Sequence, residues 1–365
     1  MRILVINTVP FMKNGISQMI VNYGTEINSK TANWDVLANE TISADYKEAL
    51  TDAGAKVILT PSRKKKPVQY LRALASVIRS NKYDGIYIHC NSSMVALDLR
   101  FIRLFFHGTI FIHAHGVTTN YPHVERMLRG LMPKTRIVNL AASLEAGEWL
   151  FHGKKFTVVP NAIDYERYIF DQTKRIEVRT KLNIEEHQIL LLQVGVFNEQ
   201  KNQMFSVDLL RKMYNHRRFK LLFVGDGKNK EYVVEKAHQW QLDELIRFLP
   251  PSEDMQALYS AADVLLFPSI FEPFGMVAIE AQANGLPIFE SEHVPDVTGV
   301  VDGLSTKIQL SQPDEWLSAI ERSEVRDGKT IDKGLIARDF DTSNFEIQSA
   351  AQKLAEFMET EVNKY

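Results

Sequence analysis

The chain has 365 residues, 45% of them hydrophobic, and a formal net charge of −2, enough length for two domains that each bury a core. Its single cysteine, Cys90, excludes an internal disulfide framework, and no apolar run approaches the roughly eighteen residues that span a bilayer. The charge is uneven: residues 1–160 carry 20 Lys and Arg against 11 Asp and Glu, whereas residues 161–365 carry 23 against 34. A basic first half suits an anionic surface such as acidic lipid headgroups, or is an uneven scatter of solvated lysines.

Residues 2–7 read as a strand whose apolar run is too short for a signal peptide, and with the cysteine usage this predicts a cytoplasmic protein. The turn after it, Pro10-Phe11-Met12-Lys13-Asn14-Gly15-Ile16-Ser17, leads into a helix at 17–27. A glycine before a helix N-terminus can seat a phosphate, although such turns also carry Gly and Ser for purely structural reasons. Further strands are predicted at 34–38, 56–60, 85–89, 109–113, 137–141 and 156–160, with helices at 67–80, 94–106, 123–131 and 144–151. Four cations, Arg63-Lys64-Lys65-Lys66, precede the basic amphipathic helix at 67–80. They would dock on an anionic membrane, or they are a solvated turn beside a helix that covers the sheet. Ile112-His113-Ala114-His115-Gly116 puts two histidines at the carboxyl end of a strand, where open α/β sheets bind ligands. His115, next to the loop, is the stronger candidate and His113 the second. They make a poor metal pair because no third ligand is evident nearby, and His89 reads as a structural neighbour.

The second half repeats the pattern with strands at 189–194, 220–224, 245–249, 264–267 and 286–289. The alternation predicts an α/β protein of two Rossmann-like, doubly wound parallel-sheet domains joined near residues 160–175, followed by an amphipathic last helix at 344–362. Gly195-Val196-Phe197-Asn198-Glu199-Gln200-Lys201-Asn202 follows the first of these strands, and Gly225-Asp226-Gly227 the second. After the fourth, Glu272 falls on a loop and Glu280 inside the next helix. Between them, the amides of Phe274, Gly275 and Met276 would lie at a helix N-terminus, whose partial positive charge suits a phosphate, and Gly275 would let it approach the backbone. On residue types alone, two solvated acids on an ordinary strand-loop-helix unit are the commoner case.

Phe271-Glu272-Pro273-Phe274-Gly275 followed by Glu280-Ala281-Gln282-Ala283-Asn284-Gly285-Leu286-Pro287 resembles the donor-site signature of retaining glycosyltransferase family 4, whose two-domain architecture is called GT-B. Val158-Val159-Pro160-Asn161-Ala162-Ile163-Asp164 is similar to that family's interdomain junction, with Ala162 where the family usually has Gly. The resemblance implies an acceptor-binding domain at 1–160, a nucleotide-sugar-binding domain at 161–340, and a helix at 341–365 that returns to the first domain. It implies that Lys201, with Asn202 beside it, meets the donor diphosphate along with Gly15 and the amides near Phe274, Gly275 and Met276. Glu280 would hold the ribose, and Glu272 and His115 the transferred sugar, with Glu272, His115 and Lys201 as the catalytic group. No cofactor or metal is implied, in keeping with the lack of an Asp-x-Asp pair in a loop after a strand. The implied donor is a UDP-sugar, although the loop near Phe248-Leu249-Pro250 does not itself tell uracil from guanine. The implied acceptor is a glycan or an undecaprenyl-type lipid-linked sugar in capsule or exopolysaccharide synthesis, at the inner face of the membrane; no nucleic acid is involved. One position departs from the family: Val196 stands where an arginine is usual. A charge-assisted hydrogen bond is worth about 1.5–3 kcal/mol, so its loss would slow transfer by roughly one or two orders of magnitude. Either another cation compensates, or the enzyme is slow, or the chain is a degenerate scaffold subunit.

Overall fold

The computed structural model of the chain describes every residue except Lys13, Thr31, residues 118–120, Lys134, residues 214–215, Glu253, Lys329 and Tyr365. The chain forms two compact units, Met1–Ile163 with Asn344–Tyr365, and Asp164–Ser343.

In the first unit, β1 (Arg2–Phe11), β2 (Asn33–Ile42), β3 (Val57–Thr60), β4 (Gly85–Cys90), β5 (Thr109–Ala114), β6 (Ile137–Ala141) and β7 (Thr157–Val158) form one parallel sheet in the order β3-β2-β1-β4-β5-β6-β7. β4 and β5 are buried at every residue, as strands covered on both faces must be. One face carries the helices Gly15–Lys30 and Ile347–Asn363, whose Met19, Ile20, Tyr23, Ile347, Leu354 and Met358 share a core. The other carries Pro67–Ser80, Val95–Ile102 and Leu144–Phe151, packed through Leu74, Leu99 and Leu150. The last helix is anchored by backbone bonds from Ile163 N–H to Phe345 O (2.8 Å) and from Ile347 N–H to Ile163 O (3.0 Å). Tyr23 donates to Pro160 O (2.7 Å) and Asn22 to Ala162 O (2.8 Å), so the stretch resembling a junction is held by side chains of the first helix. Ala162 does not adopt a positive φ, which is why an alanine is accommodated there. β1 and β2 run past the predicted ends, with register shifts at Pro10, and the helix Ala44–Asp52 was not anticipated.

In the second unit, β8 (Ile189–Val194), β9 (Phe219–Val224), β10 (Ile246–Leu249), β11 (Val264–Phe267), β12 (Ile288–Ser291) and β13 (Ser305–Ile308) are also all parallel, in the order β10-β9-β8-β11-β12-β13. β13 is an additional edge strand: Ser-Thr-Lys-Ile, half-exposed, offers no apolar run to read. The start of β11 is pinned from below. Asp263 accepts from Arg175 (2.6 Å) and Arg179 (3.0 Å), all three buried, while Arg175 also satisfies the carbonyls of Ser260 and Ala261 at the end of the helix Met255–Ala261. A buried charge stays charged only when its hydrogen bonds are filled, as they are here.

Strand order reverses at β1/β4 in the first sheet and at β8/β11 in the second. Outside the carboxyl ends of two such strands, the loops diverge and leave a crevice where ligands bind.

Candidate active site

In the second unit, the loops leaving β8 and β11 flank that crevice, and an ion pair joins them: Lys201 Nζ is bonded to Glu272 Oε2. Both side chains are largely buried, Glu272 at 9% relative exposure, so the pair sits in a medium of lowered dielectric. The lysine is aimed rather than free. Its backbone N–H donates to Asn198 Oδ1 (2.9 Å), its carbonyl accepts from Gln193 Nε2 (2.6 Å), and its ammonium lies 4.8 Å from the centre of the Phe267 ring. Gly195, at φ +148°, clears its path, since a Cβ there would meet the lysine stem at 3.2 Å. Ser269 Oγ donates to Glu272 Oε2 (3.4 Å), and Ser291 Oγ fixes Ser269 by donating to its carbonyl. Asn202 adopts the left-handed conformation, and its side-chain amide donates to Pro268 O (3.2 Å). It thereby ties the two loops with one of its two amide hydrogens.

Gly275 caps the helix Met276–Ala283 at φ +88°, a conformation that favours glycine, and Thr298 Cγ2 would lie 3.0 Å from an added Cβ. The backbone amides of Gly275, Met276 and Val277 have no acceptor among the described residues, which leaves a helix N-terminus ready for an anion. Phe274, buried, closes the side of this turn. One turn into the helix, Glu280 accepts from Tyr259 O–H (2.7 Å). Burial pushes the Glu280 carboxyl up to about 7, against the opposing pull of the hydrogen bonds from Tyr259 and Tyr168. Tyr259 is positioned in turn by Arg326, whose Nη2 donates to its carbonyl (2.7 Å). Nothing in the sequence marks Tyr259 as the partner of an acid twenty-one positions later.

Val196, where a cation was expected from the resemblance, is 58% exposed and contributes only its backbone: its carbonyl accepts from Gln203 Nε2 (3.0 Å) and its amide has no acceptor among the described residues. Two cations follow the β9 strand, Lys228 at 3.7 Å from Glu199 and Lys230, the first residue of the helix Lys230–Gln239, at 3.9 Å from Asp226. Asp226 orders its own turn, its carbonyl accepting from Phe197 N–H (2.9 Å) and its carboxylate from Gly227 N–H (2.9 Å).

In the first unit, His113 and His115 project from the end of β5 and its loop, but they are not a pair. His89, in register with His113 on β4, joins them, and ring nitrogens of all three lie within 4.8 Å of one another. The expectation that no third ligand is nearby is corrected: His89, read as a structural neighbour, supplies one from the adjacent parallel strand, 24 residues upstream of His113. The three rings lie at 23–27° to one another, and a hydrogen bond joins two of them. That is the geometry of a hydrogen-bonded stack. His89 Nδ1 and His115 Nε2 are 3.0 Å apart, and His89 Nε2 is buried without a partner. A buried N–H without an acceptor is rarer than a bare lone pair, so the favoured arrangement has His89 Nδ1–H donating to His115 Nε2. His115 then carries its proton on Nδ1. Burial drives the His115 pKa down to about 3, so it is a neutral donor at physiological pH. Behind the stack, Tyr87 O–H bonds His113 Nδ1.

Gly15 is the first residue of its helix, and neither its amide nor that of Ile16 has an acceptor among the described residues. The nearest atom to an added Cβ would be Asn161 Nδ2 at 3.8 Å, so this glycine is not sterically required. Its neighbour Lys13 lies outside the described residues.

Residues 174–322 match the family model described as glycosyl transferases group 1. Over 328 residues, 85% of each chain, the protein is 24% identical to the putative glycosyltransferase EpsF of Bacillus subtilis. Among solved structures it superposes on Anabaena HepE, determined in complex with UDP and glucose, with a TM-score of 0.77, 17% identity and coverage of 99% and 100% of the two chains. It also superposes on WaaG, a glycosyltransferase involved in lipopolysaccharide biosynthesis, with a TM-score of 0.70, 16% identity and coverage of 98% and 99%. The chain therefore has a GT-B fold, its residues 174–322 match the group 1 glycosyltransferase model, and it resembles the family 4 enzymes.

Proposed function

We propose that this protein is a retaining, metal-independent transferase that moves a hexose or N-acetylhexosamine from a UDP-sugar to a glycan or lipid-linked acceptor in cell-surface polysaccharide synthesis. The observation that carries this reading is the Lys201–Glu272 pair beside unbonded helix amides at the switch point of the second sheet. The diphosphate would take Lys201 and the amides of Gly275 and Met276. Charge on the departing phosphate would be stabilised by donors already in place, usually the largest single contribution to catalysis. Releasing Glu272 from Lys201 would free its carboxylate for a sugar hydroxyl. Glu280 would accept from the ribose, and His115 would offer Nδ1–H to the transferred sugar. The leaving phosphate oxygen would take the acceptor proton on the same face, which retains the anomeric configuration. UDP in the HepE complex and the lipopolysaccharide role of WaaG support the donor and acceptor classes. No helix among the described residues is long and apolar enough to cross a membrane, which agrees with a cytoplasmic enzyme that meets the membrane peripherally.

The test is the anomeric configuration of the product by NMR, with and without a chelator. Retention that survives the chelator supports the reading. An inverted product, or activity lost with the chelator and restored by a divalent ion, would refute it.

A further inference from the structure

The first unit holds a cavity of about 760 Å3 at the carboxyl edge of β1, β2 and β3, lined by none of the donor-site residues. Its chemistry is divided. Tyr70 lines it at 1% exposure, and the Tyr70 hydroxyl is buried with no hydrogen-bond partner. Burial raises its pKa, so it remains an O–H donor lacking an acceptor. Beside it, Arg63 and Asp98 form a fixed, two-point ion pair, with Nε to Oδ1 at 3.1 Å and Nη2 to Oδ2, and Arg63 also donates to Met94 O (3.1 Å). That pair neutralises the acid at the floor. On the wall, Leu71, Met94 and Leu97 face the space, and Leu97 is 47% exposed on its helix. At the rim, Lys64 has no partner among the described residues, and the pair of Lys65 with Glu40 (2.8 Å) is solvent-exposed and weakly held.

We infer that this cavity binds a phosphate ester carrying an apolar chain. The chain lies on Leu71, Met94 and Leu97, and phosphate oxygens accept from Lys64 and the unpartnered Tyr70 hydroxyl. The volume lies in the range of ligand pockets, and an apolar lining with a few convergent polar groups is what an amphiphile requires. The site's role as the seat of a lipid-linked acceptor rests on the transferase reading proposed above; its binding chemistry does not.

The test uses the full chain and octyl phosphate below its micelle concentration, followed by calorimetry, with octyl glucoside and inorganic phosphate as single-feature controls. Octyl phosphate is expected to bind one to one, and each control roughly tenfold or more weakly. Leu97→Glu and Lys64→Glu, both at exposed positions, are expected to weaken it at least about tenfold with an unchanged unfolding midpoint, and Tyr70→Phe about threefold to tenfold. Equal affinity in wild type and in Leu97→Glu and Lys64→Glu would overturn the proposal. So would anionic vesicles binding where octyl phosphate does not, which would assign these cations to a bilayer surface instead. UDP-sugar affinity is read in parallel and is expected to stay constant across the variants. Its absence from wild type would sink the transferase reading and leave the cavity assignment standing.

Discussion

If Glu280 holds the donor ribose, as proposed, donor binding is a proton-linked event. The Glu280 carboxyl is raised from an ordinary 4.5 to about 7 by burial. That shift corresponds to about 3 kcal/mol between charged and neutral forms. Because the folded value lies above the unfolded one, its contribution to stability is fully present below about pH 4.5 and is lost as pH rises through about 7. In that contact ribose hydroxyls would donate to the charged carboxylate, so a bound donor would pull the value back down and a proton would leave. With a bound value near the ordinary one, binding a UDP-sugar should release about 0.9 proton at pH 6, about 0.5 at pH 7 and about 0.1 at pH 8. Affinity should rise roughly tenfold per pH unit up to about 7 and then level off. Titration calorimetry in two buffers of different ionisation enthalpy measures both quantities, and a sugar nucleotide is preferred because its diphosphate diester does not titrate in this range. Glu280→Gln should abolish the release and flatten the profile. Equal proton release in wild type and Glu280→Gln, or a wild-type affinity that is flat from about pH 5.5 to 8, would refute the ribose assignment.

Three further perturbations follow from the same geometry. Val196→Arg places a guanidinium on an exposed position beside the Lys201 loop and should raise donor affinity or kcat/KM by roughly tenfold to a hundredfold; no gain would mean that Lys228 or Lys230 already supplies the charge. His89→Phe keeps the stack's volume but removes the bond that sets the His115 tautomer, so kcat should fall by about tenfold or more while UDP affinity holds; a parallel fall in UDP affinity would point to a folding defect instead. Gly275→Ala forces a Cβ into a left-handed turn against Thr298, and should cost about 1–3 kcal/mol in chemical denaturation and weaken UDP binding as the helix amides shift.

What could be read before the structure was what is local. The nearly continuous apolar β8, the all-apolar β11 and the alternation with helices were legible because a strand covered on both faces is hydrophobic along almost its whole length. The spacing from Glu272 to Glu280 was legible because a loop and one helix turn are written in adjacent residues. Long-range partners were not. His89 meets His115 through strand pairing, and Tyr259 meets Glu280 across the packing of two helices, neither of which leaves a mark in the intervening sequence. Nor does the sequence disclose that Asn202 is occupied by Pro268, or that Tyr70 is buried without a partner beside Arg63 and Asp98.

The central claim is that the pair joining the β8 and β11 loops serves glycosyl transfer. It is tested most directly by nucleoside diphosphate release from a panel of UDP- and GDP-sugars, with and without a lipid-linked glycan acceptor, in wild type and in Glu272→Ala. Wild type should turn over a UDP-sugar, and Glu272→Ala should lose roughly a hundredfold or more of that turnover with UDP itself still bound. Turnover that is equal in the two proteins would contradict the assignment, and no turnover in wild type with any donor and acceptor would favour a scaffold in which Val196 marks lost catalysis.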